Sequence, residues 1–297
     1  MNEITAFGEI LFDIYANSKS LGGAPLNFIY HINKLTGSGR IISRVGKDSL
    51  GREAIDFLNS EGLLTNTIQI DTENQTGTAV ISLNEKGEPA FNIEENCAYD
   101  FINISDDTRV RLVESTECLY FGSLAQRSDV SRNTLHSFFN KDIKYFYDIN
   151  IRQQYYNVKL LNKSLNTANV VKLNLDELKL LNDHFIQEEF DFEASSKNLI
   201  EKFNIEMLAV TKGPDGSVMF RDDEIDEHKP ETFKVNDTVG AGDAFAAISC
   251  IGYLHNWELK KINKLANEFA SQICLINGAL PQDDSLYDRF KEEIKDE

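Results

Sequence analysis

The chain has 297 residues, of which 48 are acidic and 30 basic, for a formal charge of -18. With 41% hydrophobic residues it can close one large core or two small ones. The acid excess excludes a surface built to coat nucleic acid or an anionic membrane and points to a small-molecule partner.

Met1-Asn2-Glu3-Ile4 lacks a basic segment leading into an apolar one, and nowhere do about 18 apolar residues run together. Cys97, Cys118, Cys250 and Cys274 are scattered, without a Cys-x-x-Cys pair or a Cys/His cluster, so no structural zinc is expected. The expectation is a cytoplasmic protein in a reducing compartment, with no membrane or nucleic-acid partner. Along the chain, branched and aromatic runs at 4–11 and 40–45 read as strands, with helical spacing at 26–35 and 52–61. Residues 76–84 then alternate, 85–88 read as a hairpin turn, and 89–99 resume an extended pattern, an antiparallel insertion expected to project over a cleft. Strands at 118–121, 145–149, 170–173 and 207–211 follow, with helices at 131–140, 176–182, 195–203, 244–255 and 262–276. Several strands are apolar on both faces, which predicts an α/β fold with a mainly parallel central sheet between helices. The acidic runs 222–227 and 292–297 are expected in solvated loops or tails.

The chemistry concentrates in Asp237-Thr238-Val239-Gly240-Ala241-Gly242-Asp243, which leads into an almost wholly apolar helix. Small residues there let backbone N–H groups converge at a helix start, an anion cradle. Asp243 falls in the first turn, where a carboxylate beside a bound phosphate suits proton handling in phosphoryl transfer. A plain helix start with a dipole-stabilised acid would look the same. The segment fits neither a dinucleotide fingerprint, since Phe245 takes the place of the third glycine, nor a P-loop.

This segment resembles the second signature of the ribokinase/PfkB carbohydrate kinases, and the resemblance spans nearly the whole chain. Gly8-Glu9, Asp13, Gly22-Gly23-Ala24-Pro25-Leu26-Asn27 and residues 44–51 match the first signature and look most like the fructokinase branch. The resemblance implies a ribokinase-like three-layer sandwich over 1–297 with a small β lid at about 14–24 and 76–103. It also implies ATP-dependent transfer to a primary hydroxyl of a sugar, with fructose giving fructose 6-phosphate. A 2-keto-3-deoxygluconate kinase, or a kinase for another sugar, is the alternative, and an inactive sugar-binding member a remoter one.

Residue by residue, the resemblance makes Asp243 the base and Gly240, Ala241 and Gly242 the anion cradle. Asp13, Gly23, Asn27, Asn150, Arg152 and Asp243 would face the sugar, Arg152 also serving the transferring group. Asn174, Thr211, Gly213, Gly216 and Asn267 would join the cradle in holding ATP. Glu177 would hold magnesium through water, and a monovalent cation, potassium, would sit near Asp237 and Val239. Several segments carry a second reading from local chemistry alone. Asn174 and Glu177 have the spacing of an N-capping box. Gly213-Pro214-Asp215-Gly216 would also serve a plain hairpin. Gly22 to Pro25 could be a turn into a helix, and Arg152 an ion-pair partner. The chain departs from the family in Ile248, where a small residue is usual, and in having no Arg in Phe91-Asn92-Ile93-Glu94-Glu95-Asn96. A homodimer through the lid is a further expectation, since pairing would cover its exposed edges.

Overall fold

The computed structural model describes residues 3–83, 89–139, 143–231 and 235–295. The expected turn at 85–88 and the end of the expected helix at Asn140 lie outside them. The strands are β1 (Glu3–Phe7), β2 (Leu11–Ile14), β3 (Lys19–Gly22), β4 (Gly39–Gly46), β5 (Ile68–Asp71), β6 (Gly77–Leu83), β7 (Pro89–Ile93), β8 (Thr116–Phe121), β9 (Lys144–Asp148), β10 (Val170–Asn174), β11 (Met207–Thr211), β12 (Ser217–Arg221) and β13 (Glu224–His228). The helices are α1 (Ala24–Thr36), α2 (Ser49–Ser60), α3 (Asp106–Ser115), α4 (Asp129–Phe138), α5 (Val158–Leu165), α6 (Leu175–Leu181), α7 (Phe192–Phe203), α8 (Ala241–Leu254), α9 (Leu259–Ile273) and α10 (Ser285–Lys295).

Nine strands form the main sheet in the order β13-β12-β11-β10-β9-β8-β1-β4-β5. It is parallel from β11 to β5, and only β12 and β13 are antiparallel. The interior strands carry buried residues on both faces, as in Val170-Val171-Lys172-Leu173, because helices cover both sides. One apolar core joins the sheet to α1, α8, α9 and α10, and a second joins its other face to α4, α5 and α7. The chain order reverses between β1 and β8, so the carboxyl ends of the strands there open onto the crevice where such sheets bind ligands. Among the described residues no helix is long and apolar enough to cross a membrane.

A second sheet, β3-β2-β6-β7, lies apart from the first. Its β2 pairs parallel with β6, while β2 with β3 and β6 with β7 are antiparallel. The single strand expected over 4–11 is in fact β1 in the large sheet and β2 in the small one. The break falls at Gly8, whose φ of 148° is open to glycine and where a Cβ would lie 2.6 Å from Pro25 Cγ. The acidic run 222–227 is not a loop: after a turn at Asp222 it becomes edge strand β13, where charged side chains suit an unpaired edge. Glu292 to Lys295 likewise belong to α10. The scattered cysteines include one pair that folding brings together, Cys118 and Cys250, with sulfurs 3.8 Å apart and both thiols free.

Candidate active site

The start of α8 is the centre of the site. Gly240 is its N-cap at φ 79°, a left-handed conformation that glycine adopts without strain, and no side chain caps the helix. A Cβ on Gly240 would lie 2.4 Å from Ala279 Cβ, so the loop at Gly278-Ala279 closes directly over the cradle. Asp237 ties that loop down, its Oδ1 accepting from Val239 N at 3.1 Å and its Oδ2 from Gly278 N at 3.0 Å. Each of its oxygens accepts one bond and keeps a lone pair, so a monovalent cation here would draw on these as well as on backbone carbonyls.

Asp243 is buried one step into α8 and accepts a hydrogen bond from Asn27 Nδ2 at 2.8 Å. Burial, with Asp148 nearby, raises its pKa to about 6, opposed by Asn27, Lys172 and Arg152. Asn27 is delivered by α1, which starts at Gly23 with Pro25 in its first turn. Asn27 Oδ1 is buried with no hydrogen-bond partner among the described residues, an acceptor awaiting a donor. Asp13, on β2, is half-buried, and burial raises its pKa to about 6 against the lowering charge of Arg152. Arg152, in the turn after β9, is exposed and forms no ion pair among the described residues. It nevertheless lowers the pKa of Asp13, Glu9 and Asp243. Asn150 stands just past β9 at φ 40°.

Asn174 and Glu177 form a complete capping box. Asn174 Oδ1 accepts from Asp176 N at 3.0 Å and Glu177 N at 2.9 Å, and Glu177 Oε2 accepts from Asn174 N at 2.8 Å. Glu177 Oε1 also accepts from Ile151 N at 2.7 Å, which fixes the turn after β9. Each carboxylate oxygen keeps a lone pair, which fits a water of a magnesium ion held chiefly by nucleotide phosphates. A protein metal cage is a different matter: among the described residues no three His, Cys, Asp or Glu side chains form one.

Beside the cradle lies a cavity of about 520 Å³, lined by Thr211, Gly213, Gly216, Gly242, Phe245 and Asn267 among others. Residues 212–216 form the hairpin turn between antiparallel β11 and β12, and Gly213, Pro214 and Gly216 also line this cavity. Asn267 directs its Nδ2 into the protein, to Ser217 Oγ at 2.7 Å and Asn263 O at 2.7 Å. Ile248, the departure on α8, is buried in the core.

Two residues to which the sequence reading gave no role belong to the site. Lys172 is buried in β10, its Nζ 2.9 Å from both Asp148 oxygens and 3.2 Å from where a Cβ on Gly242 would stand. Its pKa is raised by Asp148, Asp243 and Glu177 against the lowering effect of burial. The clue was present: a lysine between Val171 and Leu173 in a strand apolar on both faces. Glu9 is buried at the crossing from β1 to β2, and burial, with Asp243 adding to it, raises its pKa to about 7.

The profile of the pfkB family carbohydrate kinases matches residues 1–284. The chain belongs to this family. An uncharacterized sugar kinase from Pyrococcus horikoshii is 27% identical over 97% of this chain and 96% of its own. The crystal structure of that kinase in complex with ATP superposes with a TM-score of 0.81 at 25% identity, covering 98% of this chain and 99% of that one. A fructokinase of Escherichia coli is 29% identical over 87% of each chain. The fructokinase from Vibrio cholerae O395, in its fructose, ADP and calcium ion bound form, shares the fold, with a TM-score of 0.80 at 22% identity over 97% of this chain and 98% of that one. The ribokinase-like α/β architecture expected from the PfkB resemblance is thus the one observed, and the protein is a carbohydrate kinase.

Proposed function

We propose that this carbohydrate kinase transfers the γ-phosphoryl group of ATP to a primary hydroxyl of a neutral sugar, and that the sugar is fructose, giving fructose 6-phosphate. The observation that carries the reading is Asp243: a buried carboxylate in the first turn of α8, directly beyond an uncapped glycine cradle and beside a cavity large enough for a nucleoside. In this reading Asp243 takes the hydroxyl proton as the sugar oxygen bonds to the γ-phosphorus. The bond from that phosphorus to the bridging oxygen breaks, and ADP leaves. The N–H groups at Gly240 to Asp243 stabilise charge on the group in transit. Thr211, Gly213, Gly216, Asn174 and Asn267 line or flank the nucleotide. Glu177 would hold magnesium through water and the backbone near Asp237 and Val239 would hold potassium, ions that would supply neutralisation of phosphate charge.

Fructose is favoured by the sequence similarity to fructokinases and by the charge of the sugar side. Asp13, Glu9 and Asp243 gather there against Arg152, with Lys172 near Asp243 but paired to Asp148, and the unpartnered Asn27 Oδ1 adds another acceptor. Hydroxyl donors satisfy such a wall, whereas the carboxylate of 2-keto-3-deoxygluconate would be repelled by it. The small sheet, from 11–22 and 77–93, is the lid of this reading, and a second copy would pair through it. A sugar panel followed by ADP release tests the specificity. Fructose is expected to give the highest kcat/KM, about 100-fold above 2-keto-3-deoxygluconate. A sugar acid in first place would overturn the assignment of a neutral sugar.

A further inference from the structure

The feet of the β6–β7 hairpin stand on a block of side chains that none of the groups above includes. Gly77, the first residue of β6, lies on the Tyr99 ring, where a Cβ would fall 2.4 Å from Tyr99 Cε1. At the end of β7, Tyr155 OH donates to the Ile93 carbonyl at 3.1 Å, and Arg127 Nη2 donates to the Glu94 carbonyl. The Arg127 guanidinium is stacked between the two tyrosines, 5.0 Å from the centre of the Tyr99 ring and 4.7 Å from that of Tyr155. Asp100 fixes its fork, accepting from Nε and Nη2 at 2.8 Å each, and the side chain is only 7% exposed. The hairpin strands themselves contain no arginine, because this one arrives from the segment before α4.

The same block reaches the other side of the site. Tyr155 N donates to Arg152 O at 3.1 Å, closing the turn that carries Arg152. Asp13, for its part, rides on β2, which pairs with β6 at Asp13 and Ala79. Two candidate sugar residues on different parts of the protein are therefore joined through Tyr155 and Arg127.

We infer that Tyr155 and Arg127 are positioning residues that tie the small sheet to the Arg152 turn, so that Asp13 and Arg152 hold their mutual geometry before sugar arrives. This rests on the reading of Asp13 and Arg152 as sugar-side groups. Freedom between the two parts lowers the fraction of protein competent to bind, and apparent affinity falls in the same proportion. The nucleotide side, built on β10, β11, α8 and α9, is outside the tie.

Tyr155→Phe keeps the ring under Arg127 and removes the hydroxyl's bonds to Ile93 and Glu95, both at the end of the hairpin. Its KM for fructose is expected to rise about 10-fold, with kcat and the KM for ATP within about two-fold of wild type. Amides of β6 and β7 should exchange faster in its ligand-free form. Unchanged fructose KM with unchanged exchange would overturn the inference, as would equal shifts in both KM values together with a lowered Tm. If wild type does not turn over fructose, the fructose assignment is what fails. Ligand-free exchange then decides alone: faster β6 and β7 amides in Tyr155→Phe support the tie, and identical rates refute it.

Discussion

Asp243 can accept a proton only when ionised, and with a pKa raised to about 6 it loses that capacity as the pH falls through 6. The kcat/KM profile should therefore carry an acid limb near that value. Lys172 lowers the pKa of Asp243, so Lys172→Met removes a favourable charge and should move the limb to higher pH, with turnover reduced about 10-fold or more. An acid limb that stays in place in Lys172→Met would show that the ammonium does not act on Asp243. The residues most easily read from sequence were those whose backbone neighbours are distinctive, such as Gly240 and Gly242 around Asp243. Lys172 was harder because its partner Asp148 lies 24 residues away and on another strand. Asn174 and Glu177 show the opposite limit. Their spacing described the capping box correctly, and the box uses the same atoms that a ligand-binding reading would need.

Among the elements, the interior strands were legible because short, continuous apolar runs between turn residues suit little else than a strand covered on both faces. The crossing at Gly8 was not, since Phe7 through Leu11 remain largely hydrophobic while the chain changes sheets. Edge strand β13 and helix α10 were hidden by their charge, which is what their exposed faces require. Helix α10 is nonetheless anchored: His31 Nδ1 and Tyr287 OH lie 2.8 Å apart, both fully buried, and Phe290 packs on Phe269 with ring centres 4.9 Å apart. Burial lowers the His31 pKa to about 3, so the ring is neutral and Tyr287 is its partner in every ordinary buffer. Tyr287→Phe leaves that nitrogen unpaired and should cost about 1–3 kcal/mol in denaturant unfolding with kcat little changed. A loss below about 0.5 kcal/mol would mean that water replaces the hydroxyl at no cost.

At the scale of the whole molecule, a chain of charge -18 handles ATP, itself a polyanion. In the proposed function the two are reconciled by keeping the nucleotide-side attraction local, in backbone N–H groups, a helix end and buried Lys172, and leaving the acidic excess to the exterior. Composition argues against a surface that coats nucleic acid, yet only the assembled site suggests how an anion is tolerated. Fold class was readable from the strand and helix rhythm; the position of the site at the reversal between β1 and β8 depends on a strand order that no local pattern encodes. The proposed chemistry turns on Asp243 as the base. Steady-state ADP release with fructose, compared between wild type and Asp243→Asn alongside ATP binding by calorimetry, probes that role without an intermediary. A base at this position requires kcat to fall about 1,000-fold in the variant, with ATP affinity within about three-fold of wild type. Turnover near the wild-type rate would show that Asp243 is not the base.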